Sequence, residues 1–168
     1  MSQMARLGPI LGLIVALGFA SPEAGAAGGG GSSGDSPTKA AATEWQAAKK
    51  AIQAKNYEAA VPLLRQVVAK EPKNAEAYNY LGYAHARAGK HEAALGYYRQ
   101  ALAIKPDHRG ANEYLGELHL KMGDLAAAEA RLAKLDEVCF FGCAEYDLLK
   151  KAVQQFKATG KYTSTKGL

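Results

Sequence analysis

Residues 75–106, AEAYNYLGYAHARAGKHEAALGYYRQALAIKP, read as two short helices joined by a tight turn. In the first, Ala75 to Ala88, the residues Tyr78, Leu81, Gly82 and His85 recur at steps of three and four, which places them on one face. Gly89 supplies the permissive backbone that a helix end needs. The second helix runs from His91 to Ile104, with Ala94, Leu95, Tyr98, Ala101 and Leu102 along its inner stripe. Pro106 stops it, because proline has no N–H to donate and restricts the residue before it. Gly82 and Ala94 are small where the two helices cross, so the backbones are expected to approach closely.

The pattern returns at a 34-residue period. Forward, Leu81-Gly82 becomes Leu115-Gly116, Gly89 becomes Gly123, Ala94 becomes Ala128, Tyr98 becomes Leu132 and Ala101 becomes Leu135. Backward, Gly82 becomes Ala48, Ala94 becomes Ala60, Tyr98 becomes Leu64 and Pro106 becomes Pro72. A fixed period of this size means stacked supersecondary units. On these residues the chain resembles the tetratricopeptide repeat proteins, with repeats at 41–74, 75–108 and 109–138. The outer repeats depart from the pattern. Glu44, Ala47 and Lys55 stand in the first where Tyr78, Leu81 and Gly89 stand in the second. In the third, Asn112 replaces the first aromatic and the closing proline is missing. Pro62 lies inside the second helix of repeat one, where it removes one hydrogen bond and is expected to bend the helix. Asn56 is placed to cap that helix.

The resemblance implies an all-α helical-hairpin solenoid over residues 41–158. Each helix pair leaves an apolar face for the next to cover. Residues 144–158, AEYDLLKKAVQQFKA, supply the last cover: Tyr146, Leu149, Val153 and Phe156 form a stripe on a capping helix. The polar residues 159–168 are expected to be a frayed tail.

Residues 1–26 read as a secretory signal. Arg6 precedes the apolar run Ile10–Ala20, which is too short to span a bilayer comfortably, and Ala24-Gly25-Ala26 offers a cleavage site after Ala26. An uncleaved anchor is the alternative. The expected localisation is periplasmic, with no stable membrane insertion after cleavage. Residues 27–40, AGGGGSSGDSPTKA, form a flexible Gly/Ser linker; the run lacks the Gly-Lys-Ser/Thr ending of a phosphate loop. The net charge is +5, but Lys and Arg alternate with acids along the helices, which reads as a solvated surface and not as a nucleic-acid or membrane face.

No motif for catalysis is present, so the chain is expected not to be an enzyme and to hold no cofactor. His85 and His119 occupy the same repeat position, about 10 Å apart by helix-packing distance, which suits packing better than a shared metal ion. His91 and His108 fall near turns.

By the resemblance, the first helices line a concave groove. The lining positions map onto Trp45, Lys49, Ile52 and Gln53; Asn79, Tyr83, Ala86 and Arg87; and Glu113, Glu117, Leu120 and Lys121. Aromatics, an amide and charges of both signs suit an extended peptide or a partner helix. Some members of the family clamp a partner's terminal carboxylate with lysines and asparagines. Here Tyr83 and Glu117 stand where Lys49 stands in repeat one, so that pattern is absent. Trp45 has a second reading, packing against the linker or a neighbouring helix. The expected function is a non-enzymatic scaffold of the cell envelope that binds a protein or peptide.

Cys139 and Cys143, the only cysteines, lie in the run CFFGC between repeat three and the cap. In an oxidising compartment two nearby thiols pair, and Gly142 can break the helix between them. The expectation is a disulfide, with Phe140 and Phe141 turned inward against Leu135 and Leu149. Free packed thiols, or a redox or copper-handling role for this pair, are the alternatives.

Overall fold

The computed structural model describes residues 39–164; the signal segment, its cleavage site and nearly all of the linker lie outside them. The described residues form seven α-helices and no strand: α1 (Lys39–Gln53), α2 (Tyr57–Lys70), α3 (Ala75–Arg87), α4 (His91–Ile104), α5 (Arg109–Lys121), α6 (Leu125–Val138) and α7 (Ala144–Thr159). α1 begins at Lys39, inside the stretch read as linker. α2 continues through Pro62. No helix among the described residues is long and apolar enough to cross a membrane.

One turn geometry joins each first helix to its second. Lys55, Gly89 and Gly123 have positive φ (58°, 75° and 84°). The next N–H returns to the carbonyl five residues back: Asn56 to Ala51, Lys90 to His85 and Asp124 to His119 (2.8, 2.9 and 2.8 Å). This satisfies carbonyls that a helix end leaves orphaned. Lys55 adopts the left-handed conformation without glycine's freedom, at a cost of roughly 1–2 kcal/mol. The following helices are capped by side chains. Asn56 and Asp124 accept from the N–H groups of Ala59 and Ala127, both at 3.0 Å. Asn74 does the same for Ala77 at 2.9 Å, and His108 Nδ1 for Ala111 at 3.2 Å. The opposite ring nitrogen of His108 reaches Glu76 at 2.7 Å, tying α5 to the first turn of α3.

Among the described residues the core is three clusters, each shared by helices adjacent in sequence. Ala48, Ala60, Leu64 and Leu81 close the first. Ala94, Leu95, Tyr98, Leu115 and Leu118 close the second. Leu120, Ala128, Leu135, Leu149, Ala152 and Val153 close the third, where α7 covers α5 and α6. Gly82 serves a closer contact than a backbone crossing. A Cβ there would meet the Tyr98 ring at 2.6 Å, so its absence lets the Tyr98 ring pack directly on α3. One period later Gly116 makes the same room for Leu149. His85 is buried and stacks on Tyr97, with ring centroids 5.1 Å apart. Burial pushes its pKa down, so it packs as a neutral ring. Asn112, fully buried, stands where the aromatic is missing. Its amide donates to the carbonyls of Pro106 and His108 at 3.0 and 3.1 Å.

Cys139 and Cys143 are joined by a disulfide across the corner between α6 and α7, with Cα atoms 5.6 Å apart. The two phenylalanines between them do not turn inward: Phe140 is 86% and Phe141 98% exposed. The closed ring of backbone is too short to fold back on itself. Gly142, at φ 83°, carries the chain outward, so the phenylalanines sit at the apex, edge to face with each other. Cys139, Tyr146, Phe156 and Tyr162 pack against the cluster that holds Leu135 and Leu149 in their place. Phe140→Ser and Phe141→Ser are therefore expected to change stability by no more than about 0.5 kcal/mol each. Cys139→Ser should cost about 2 kcal/mol, the loop-closure entropy of so short a ring. Urea denaturation of the three variants checks both statements.

Candidate functional site

The first helices of the three repeats share a groove of about 930 Å³. α1 contributes Ile52 and Gln53, α3 contributes Tyr83, Ala86 and Arg87, and α5 contributes Tyr114, Glu117, Leu118 and Lys121. The helix period explains the set: 83, 86 and 87, and likewise 114, 117, 118 and 121, fall on one face at steps of three and four. Tyr57 and Lys55 enter from the first turn, and Tyr98 reaches up past Gly82.

Tyrosines run along the wall. Tyr57 meets Tyr83 edge-on at 6.0 Å, Tyr83 meets Tyr114 at 5.1 Å, and Tyr114 meets Tyr98 at 6.2 Å between centroids. The Arg87 guanidinium lies 5.9 Å from the Tyr57 ring centre and donates to the Tyr57 hydroxyl at 3.3 Å. That hydrogen bond holds Arg87 firmly protonated. Burial, aided by the neighbouring phenols, raises the Tyr83 pKa, so Tyr83 keeps its proton at neutral pH. The wall is thus aromatic with hydroxyl groups along it. Positive charge comes from Arg87, Lys55 and Lys121 and negative charge from Glu117.

Of the twelve residues expected to line one surface, seven meet here: Ile52, Gln53, Tyr83, Ala86, Arg87, Glu117 and Lys121. The other five lie elsewhere. Leu120 is 1% exposed in the third core cluster. Its equivalents Ile52 and Ala86 stay at the groove, but in the last repeat α7 covers that face. Trp45 sets its edge on Tyr80 at 5.2 Å, with Lys49 over its ring at 5.6 Å, and packs against the first core cluster. Asn79 and Glu113 are both buried and border a second, smaller cleft of about 440 Å³ together with Tyr80, His108 and Glu145.

The sequence reading missed Tyr57, Tyr98, Tyr114 and Tyr162. Tyr114 lies one period beyond Tyr80, which borders the smaller cleft, so the repeat gave no signal for it. The tail also departs from the expected frayed end. Gly160, left-handed at φ 68°, closes α7 by an N–H bond to the Phe156 carbonyl at 2.7 Å, and Tyr162, Thr163 and Ser164 then line the groove. Tyr162 is half-buried, and burial, with the nearby Glu117 charge, raises its pKa.

Solved structures with the same fold include two tetratricopeptide domains and a third protein, PcrH. The Sgt2 domain from Aspergillus fumigatus is 20% identical, with a TM-score of 0.64 and 82% of this chain and 95% of that chain covered. The TPR2B domain of yeast Sti1, in complex with pHsp70, is 20% identical, with a TM-score of 0.64 and 70% and 98% covered. PcrH, in complex with the chaperone-binding region of PopD, is 17% identical, with a TM-score of 0.64 and 71% and 92% covered. No curated protein sequence matches the chain significantly. Two family models, each described as tetratricopeptide repeat, match residues 45–109 and 85–138 and together span more than half of the chain. With the 34-residue period, the three repeated turns and the stacked helix pairs, this chain belongs to the tetratricopeptide repeat proteins.

Proposed function

We propose that the chain is a non-enzymatic interaction scaffold that receives an extended segment of a protein partner in the groove along α1, α3 and α5. The observation that carries this is the tyrosine row Tyr57–Tyr83–Tyr114 beside Arg87, in an open groove large enough for several residues. Tyrosine and arginine are the side chains that most often dominate binding at protein interfaces. Sti1 with pHsp70 and PcrH with a segment of PopD are relatives of this fold seen with protein ligands, which supports the same use here.

The groove reading is tested by capture from an envelope extract followed by affinity measurement. Tyr83→Ala is expected to weaken the captured partner by about 1–3 kcal/mol while leaving the helical signal unchanged. Equal affinity in wild type and variant would place the partner elsewhere. Trp45→Ala, away from the groove, should act on stability and not on affinity.

The proposed place of action is the cell envelope, reached by export. The pattern of Arg6, Ile10–Ala20 and Ala24-Gly25-Ala26 motivates it, and a disulfide at Cys139 and Cys143 accords with an oxidising compartment. The mature chain should begin at Ala27; N-terminal sequencing that returned Met1 or Ser2 would exclude cleavage.

A further inference from the structure

The groove already contains part of this chain. After Gly160 the backbone is held in a turn by Thr159, whose hydroxyl donates to the Gln155 carbonyl at 2.8 Å and accepts from the Lys161 N–H at 3.2 Å. The turn aims Tyr162 at α5. Its ring packs against the third core cluster, and it lines the groove together with Glu117. Burial and the nearby negative charges of Glu117 and Glu113 hold this phenol well above the ordinary tyrosine range, so it keeps its proton. A protonated phenol beside a carboxylate donates. Thr163 and Ser164, which follow it along the groove, are exposed. Tyr162 is thus the large side chain of the segment that packs against the fold, with the Glu117 carboxylate lining the same groove.

We infer that residues 160–164 are an intramolecular occupant of the groove anchored by Tyr162, and that a partner enters by displacing them with an aromatic hydroxyl of its own that donates to Glu117. This rests on the reading of the groove as a peptide site. A segment tethered one turn from α7 competes as though present at millimolar concentration. The affinity of an incoming segment falls by the fraction of molecules in which Tyr162 is out. The partner's chemistry follows from what Tyr162 satisfies: a flat ring for the apolar floor and a neutral hydroxyl donor for Glu117.

The test uses the intact chain. Trypsin cleavage after Lys161 should be at least tenfold faster in Tyr162→Ala than in wild type, because the bond is held only while Tyr162 is seated. Tyr162→Phe keeps the ring and its packing and loses the donor, so it should fall between the two. Equal rates in wild type and Tyr162→Ala overturn the anchoring, and a wild-type rate in Tyr162→Phe overturns the part assigned to Glu117. A fluorescent peptide of residues 160–164, GKYTS, should bind Tyr162→Ala at least tenfold tighter than wild type and lose that gain when Tyr83→Ala is added. Equal affinity, no binding to Tyr162→Ala, or binding indifferent to Tyr83 overturns the proposal. Neither measurement uses a cellular partner. Failure to capture one from an extract would bear on the groove reading and leave these results standing.

Discussion

Replacing Tyr98 by alanine is expected to lower the unfolding free energy by about 3–5 kcal/mol, the usual cost of emptying a buried aromatic site. Tyr98 is 1% exposed, belongs to the second core cluster and lies on α3 at Gly82. The contact is close enough to be read from the other side. A Cβ at position 82 would stand 2.6 Å from two ring carbons, so Gly82→Ala alone should cost about 1–3 kcal/mol through overpacking. With Tyr98 already alanine, that clash is gone. What remains is the preference of a helix for alanine over glycine, about 1 kcal/mol in its favour. The same substitution should therefore be harmful in the wild type and neutral or helpful in Tyr98→Ala. A double-mutant cycle by urea denaturation reads this change of sign. Additive effects would show that the two residues are not in contact.

Leu149→Ala should cost about 2–5 kcal/mol. Leu149 is fully buried, sits in the space left by Gly116, and is the largest of the three buried α7 residues, with Ala152 and Val153, that close the third cluster with Leu120 and Leu135. Its loss leaves a cavity between α5 and α7 that neither backbone can fill. The first cluster shares no residue with this one. Damage should therefore concentrate at the C-terminal end, with Lys150 and Lys151 cut by trypsin well before sites in α1 and α2. A loss below about 1 kcal/mol, or uniform proteolysis along the chain, would refute the role given to Leu149.

Much of the solenoid was legible before any coordinates. The second helix of the central repeat runs from His91 to Ile104 as read, Asn56 caps α2, and Leu149 and Val153 are buried on α7. Each rests on a local rule: apolar spacing, capping chemistry, proline at an exit. The candidate site was legible only in part, because a groove is made between helices. Position 120 carries the same local pattern as 52 and 86. Only the arrival of α7, from a segment with no counterpart in the other repeats, buries it. Phe140 and Phe141 were read as core by their apolarity, which fails where a short covalent ring leaves no path inward. Tyr162 was missed for the reverse reason. A polar stretch with two glycines has no periodicity, and one of those glycines, Gly160, is what turns Tyr162 back to the groove.

The division of the core has a kinetic consequence. Every buried cluster joins helices that follow one another along the chain, so the folded state asks for few closures between distant segments. Loop-closure entropy, the main brake on folding, is then small, and the chain belongs with the fast-folding helical topologies. The same division loosens cooperativity. α1 with α2 at one end and α7 at the other can each open while the central helices stay shut, since neither end supplies side chains to the other's cluster. The groove spans the junctions between these units, so a segment bound across it would couple openings that are otherwise independent.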